Sequence, residues 1–199
     1  TAQLQKEIDE RLRIEKQLIE SQKYTRKLID SSLDMICASD TDCNIVEFNT
    51  AAQKTFGYTR EEIIGKHVSI LYSDNENHHK INNNLLEGEG TFSGEIVNKR
   101  KNGETFISFL SSSVLRDDHG NAFGFMGVSR DITEYKKAEN ALRESHQFVD
   151  SVIENIPNMI FVKDAKDLRF VRFNKAGEEL LGLKRAELLG KNDYDFFPK

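Results

Sequence analysis

The sequence predicts an α+β protein, a small sheet interrupted by short helices and flanked by long polar helices, with the same unit begun a second time. Three observations predict it: an internal repeat, an ordered series of apolar runs, and a heptad pattern. The repeat appears when Glu15 to Cys37 is set against Glu139 to Phe161, an offset of 124 (142 − 18). Leu18, Glu20, Ser21, Ile29, Met35 and Ile36 then face Leu142, Glu144, Ser145, Ile153, Met159 and Ile160. After one inserted residue the offset is 125, and Phe48, Asn49, Gly57, Glu62, Gly65 and Lys66 fall on Phe173, Asn174, Gly182, Glu187, Gly190 and Lys191. The second copy stops at Lys199, the counterpart of Asp74, so it is expected to hold only the first half of the unit.

Taken in order, the chain opens with a polar helix over residues 1–31, with Ile14, Leu18 and Leu28 on a weak seam. Two short apolar runs, Met35 to Ser39 and Ile45 to Phe48, are separated by Asp40-Thr41-Asp42-Cys43-Asn44, a turn-forming cluster, and read as paired strands. Asn49 or Thr50 can cap a helix from Ala51 to Phe56 that Gly57 ends in a left-handed cap. Thr59 starts a second, with Glu61 and Glu62 in its first turn, and Gly65 stops it; a third is expected around Asn77 to Leu86. Three longer strands follow, Phe92 to Asn98, Thr105 to Leu115 and Ala122 to Ile132, joined at Asn102-Gly103 and His119-Gly120-Asn121. From Ile132 to Ile156 apolar or small residues recur at alternating steps of three and four: Tyr135, Ala138, Leu142, Ser145, Val149, Val152 and Ile156. That is a coiled-coil seam, and so polar a helix gains most by pairing with a second copy. The expected organisation is a linker helix at 1–31, a domain at 32–133, a signalling helix at 134–154 and half a domain at 155–199.

Composition narrows the function. At 199 residues there is room for one or two domains. With 28 basic and 33 acidic residues interspersed, the net charge of −5 offers no field for nucleic acid phosphates. Cys37 and Cys43 are too few for a disulfide framework and lack zinc-ligand spacing, which fits a reducing cytoplasm. No apolar run approaches the roughly 20 residues that span a bilayer. No nucleophile with its base, metal cluster or phosphate loop is visible, so no catalysis is expected in these residues.

The segments Phe48-Asn49 with Ala52, Gly57-Tyr58, Glu61-Glu62 and Gly65-Lys66, then Arg100 to Glu104 and Gly124 to Glu134, resemble in order and spacing a PAS domain of the bacterial sensor type. The resemblance covers Ser32 to Thr133 fully and Asn155 to Lys199 in part. It implies a five-stranded antiparallel sheet with helices on one face around a small cavity. It also implies a tandem position upstream of an output domain, a histidine kinase or a diguanylate cyclase, and a role in sensing a ligand, a cofactor's state or a partner. The cavity is expected to be lined by Ile36, Phe56, Ile64, Leu71, Leu85, Phe92, Ile96, Phe106, Met126 and Val128. Those residues equally make an ordinary core, so a ligand-free dimerising scaffold stands beside the sensor. Asp131, Ile132 and Thr133 form the junction to the signalling helix, where the resemblance places signal transfer; Asp131 can cap the helix, or Thr133 can cap it while Asp131 pairs with a base. The dimer seam is Tyr135, Ala138, Leu142, Val149, Val152 and Ile156.

The cofactor is not identified by the sequence and none is required. His78 and His79 lie where heme-binding relatives place an iron ligand, but adjacent helical residues point about 100° apart and the run before them is wholly polar. Flavin photochemistry of the light-sensing kind needs a cysteine shortly after Gly65, and the run Gly65-Lys66-His67-Val68-Ser69 has none. His146 lacks the acidic neighbour and following proline of a phosphoaccepting histidine and reads as a surface residue.

Overall fold

Helix α1 runs from Ala2 to Ser31, a stretch of good helix formers without Gly or Pro. It belongs to the first of two units, Thr1–Glu134 and Tyr135–Lys199, of a computed structural model that describes residues 2–74, 81, 85 and 89–196. Strands β1 (Met35–Ser39) and β2 (Ile45–Phe48) follow. Their turn is closed by the Asp40 carboxylate, which accepts the N–H groups of Asp42 at 3.0 Å and Asn44 at 2.8 Å.

Helix α2 (Thr50–Phe56) begins at Asn49, whose side chain accepts from the Ala52 N–H. It ends at Gly57, φ 79°, a left-handed position that costs a residue without Cβ nothing. Thr59 and Glu62 form a reciprocal capping box around α3 (Arg60–Ile63). A 3-10 turn over Val68–Leu71 leads on. Of the helix expected around Asn77 to Leu86, Ile81 and Leu85 are helical and buried; the others, His78 and His79 included, lie outside the described residues.

Strands β3 (Thr91–Lys99), β4 (Thr105–Arg116) and β5 (Ala122–Asp131) complete a five-stranded antiparallel sheet in the order β2-β1-β5-β4-β3. The Asn102-Gly103 pair is not a two-residue hairpin turn. The loop runs from Arg100 to Glu104, and there only Gly103 has positive φ, at 89°, while the Asn102 side chain accepts the Glu104 N–H.

One face of the sheet packs on the helices. Ile45, Phe48, Ala52, Phe56, Ile63 and Phe106 form one buried cluster; Ile81, Leu85, Ile96, Leu110 and Phe125 form a second. Burial of each large side chain is worth about 1.5–3 kcal/mol, and these clusters fix which strand residues point inward. Helix α4 (Thr133–Asn155) leaves the sheet directly after β5.

In the second unit β6 (Phe161–Lys163) pairs with β7 (Phe170–Phe173), followed by α5 (Lys175–Leu181) and α6 (Arg185–Leu188). Phe170, Phe173 and Leu188 are its buried core. Asn174 caps α5 as Asn49 caps α2, and Gly182 ends it at φ 67°.

Candidate functional site

The inner face of the first sheet encloses a cavity of about 60 Å³. Strand parity decides its walls. In the β1–β5 register Met35 faces Ser129, Cys37 faces Gly127 and Ser39 faces Phe125, and all six line the cavity. The next residues along each strand point the other way. Of the expected lining, Phe56, Leu71, Leu85 and Ile96 are present. Phe106 is buried in the adjoining cluster and Phe92 packs at the edge of the second. Ile36, Met126 and Val128 correct the expectation: Ile36 pairs with Val128 on the opposite sheet face, where Met126 and Val128 border an open groove of about 370 Å³. Ile64, 37% exposed, follows α3 and also stays outside.

Two polar side chains of the cavity wall bond within the protein; the Ser112 hydroxyl donates to the Met126 carbonyl at 3.0 Å. Asn98, buried, donates Nδ2–H to the Leu71 carbonyl at 2.9 Å and accepts from the Ser108 hydroxyl at 2.5 Å. Burial, aided by the nearby Glu47 carboxylate, pushes the Cys37 thiol up to about 12, and burial likewise raises the Tyr72 phenol. Both groups are held neutral, so the cavity presents dipoles and sulfur rather than charge. Between the described residues its volume falls far below the roughly 300–1,000 Å³ of sites that hold cofactor-sized molecules. Asn98, Leu110 and Phe125 are wall residues that the sequence reading missed; Gly127, where an added Cβ would stand 3.1 Å from Leu110, was the available sign of a crowded inner face.

The second feature is the junction between sheet and helix. The Ile132 N–H donates to the Ile107 carbonyl at 2.9 Å, and the Thr133 hydroxyl accepts the Ile107 N–H at 3.0 Å. Asp131 accepts the Thr133 N–H at 2.9 Å through Oδ1 and pairs through Oδ2 with Arg100 at 2.8 Å. Asp131, the last residue of β5, thus holds the first helical N–H and a basic partner together, while the Thr133 hydroxyl is turned back to β4. Arg100 also donates to the Thr55 carbonyl at 2.5 Å, near the end of α2, and stacks 4.1 Å above the Phe106 ring. Partial burial pulls the Asp131 carboxyl upward, but hydrogen bonds from Thr133 and Arg100 outweigh it and hold it below the ordinary range.

Helix α4 buries none of its residues, and Tyr135, Leu142, Val149 and Val152 of the expected seam are 42–67% exposed. Ala138 is exposed; Ile156 lies just past the helix, half-buried. Among the described residues no three His, Cys, Asp or Glu side chains are grouped to hold a metal ion, and no helix is long and apolar enough to cross a membrane.

This sheet order, with a cavity under the helices and a helix growing from the last strand, defines a sensory-domain architecture. Family models described as PAS domain and PAS fold match residues 33–134 and 147–199. The chain belongs to the PAS domain family. It is 28% identical over 142 residues to a blue-light-activated histidine kinase of Rhizobium johnstonii, covering 70% of this chain and 40% of that one. It is 31% identical over 111 residues to the sensor protein TdiS of Thauera aromatica, covering 54% and 20%. A PAS domain crystal structure from Colwellia psychrerythraea superposes with a TM-score of 0.52 at 26% identity, covering 56% of this chain and 97% of that one. The chain therefore spans less than half the length of these kinase and sensor relatives.

Proposed function

We propose that this chain is the sensory and signal-relay PAS region of a cytoplasmic two-component sensor histidine kinase, paired with a second copy through its linker helices. The kinase relatives support the output class, and both matched models describe PAS domains, so catalysis is assigned outside these residues. One observation carries the relay: β4, β5 and the first turn of α4 are joined through Ile107, Asp131 and Thr133. A displacement at the end of the sheet is therefore delivered to the helix rather than absorbed. The exposed stripe Tyr135, Leu142, Val149 and Val152 supports a second copy as the helix's partner.

Inserting one residue after Glu139 turns everything downstream by about 100°. In the full-length protein this should change autophosphorylation, and a seven-residue insertion should largely restore it. Equal output from the two insertions sinks the relay.

The second reading is a ligand-free scaffold, favoured by a cavity of only about 60 Å³. Native mass spectra of freshly purified protein decide between them: an added mass lost on denaturation marks a sensor, and a clean apo dimer marks the scaffold.

A further inference from the structure

The two units repeat not only a fold but a joint, and at one position the joint is written with the opposite sign. In the first unit Arg26 of α1 reaches Glu47 of β2 at 2.6 Å, and Arg60 of α3 holds the same carboxylate at 2.5 Å. The equivalent residues of the second unit are Asp150 (26 + 124), Arg172 (47 + 125) and Arg185 (60 + 125). There the helix supplies the acid and the strand the base: Arg172 pairs with Asp150. An arginine on the strand deprives Arg185 of the partner that Arg60 has. Two changes offset that. Glu154 of α4 accepts Arg185 in a two-pronged contact at 2.7 and 2.8 Å, and Glu178, where the first unit has Gln53, adds a third bond at 3.1 Å. Around these pairs the neutral contacts are the same: Asn49 and Asn174 each donate to the carbonyl of the matching helix residue, Ile29 at 3.1 Å and Ile153 at 2.9 Å.

We propose that the two joints are opposite charge addresses, so that each domain accepts the helix preceding it and rejects the helix preceding the other. The shared neutral contacts would hold either helix on either domain, and in a tandem repeat that is a route to misassembly between copies. The sign at the strand residue removes the degeneracy. On the first domain α4 would set Asp150 against Glu47; on the second, α1 would set Arg26 against Arg172. Each mismatch turns an attraction into a repulsion between groups that are 22–61% exposed, about a few-fold in docking preference. The partner that fits the first joint is a helix with a base at this position, and the second takes a helix with an acid. The inference is independent of what the domains sense.

Photo-crosslinking on the whole chain tests it. His146, exposed on α4, corresponds to Gln22, which borders the groove beside Glu47; His146→p-benzoylphenylalanine therefore reports which domain α4 lies on. In the parent chain cross-links should map to residues 161–188. Asp150→Arg should move them to residues 45–63 of a second copy, by about a few-fold over Asp150→Asn, which removes the address without replacing it. Adding Arg172→Glu to Asp150→Arg should return them to the second domain. Should the arginine variant match the asparagine variant, or the double variant fail to recover, the address is refuted. If Asp150→Arg does not fold, the mirror pair Arg26→Asp and Arg26→Asn, with the probe at Gln22, makes the same decision.

Discussion

Removing the side-chain amide of Asn49 should be the most damaging single polar change in the first unit. Asn49 is fully buried and joins three segments: it donates to the carbonyls of Ile29 and Asp34 at 3.1 and 3.0 Å and accepts the N–H groups of Ile36 and Ala52 at 2.9 Å each. Asn49→Ala leaves the Ile36 and Ala52 N–H groups to find water or go unpaired, and takes one of two donors from the Ile29 and Asp34 carbonyls, which keep their bonds from Ser32. With two N–H groups orphaned and two carbonyls weakened the loss is about 2–3 kcal/mol, of which the helix cap alone accounts for about 1 kcal/mol. For a unit of this size that lowers the melting temperature by roughly 10 °C or more. With no Trp in the chain, circular dichroism in urea should follow the unfolding, and amide exchange should show Ile36 and Ala52 losing protection first. Asn49→Asp, which keeps the acceptor but turns a buried carboxylate oxygen toward the Ile29 and Asp34 carbonyls, should be no better. A loss below about 1 kcal/mol for Asn49→Ala would falsify the claim that this side chain fastens α1 and α2 to the sheet.

The other predictions are narrower. Gly177→Ala should destabilise the second unit by about 1–3 kcal/mol, because a Cβ there stands 2.5 Å from the Phe173 ring; the first unit carries Ala52 at the same place, so calorimetry should show only one transition move. Thr133→Val, which deprives the Ile107 N–H of its acceptor, should cost about 1 kcal/mol and speed exchange at Ile107 and the start of α4. The folded-state pKa values of Asp131 and Asp30 are both lowered; for Asp30 burial opposes the shift, but bonds from Arg26 and Thr50 prevail. Their contribution is complete above the ordinary carboxylate range and is lost as pH falls through the lowered values, so acid titration should loosen both helix joints before the core, and a midpoint unchanged down to pH 3 counts against it. Cys37, half-buried with its thiol pushed up to about 12, should react slowly with thiol reagents at pH 8 until unfolding, and prompt labelling at Cys37, mapped apart from Cys43, would contradict the raised value.

Local signals carried most of the fold. Turn and cap chemistry at Asp40, Asn49, Gly57 and Thr59 is short-range, and each bond it promised is present. The five-stranded antiparallel sheet also follows from the resemblance, because the residues carrying it lie on the strands and turns that are found. What the sequence left open was parity. Met126 and Val128 are as apolar as Phe125, and on a sheet with one packed face and apolar residues on the other, hydrophobicity does not tell inside from outside. Only the register with β1, set by long-range packing, places Gly127 and Phe125 inward. Arg100 was legible as part of a motif but not as the link between Thr55, Phe106 and Asp131, since those residues meet only after β3, β4 and β5 have paired.

The hollow under the first sheet also has a volumetric meaning. A cavity of about 60 Å³ adds to the contraction of the domain on unfolding, which scales with the internal space eliminated. Hydrostatic pressure is therefore a handle on this domain that needs no knowledge of any ligand. Raised pressure should shift the balance toward the unfolded state, and any molecule that fills the space would shrink the response. The pressure dependence of unfolding, measured before and after extraction of small molecules, weighs the cavity's contents without naming them.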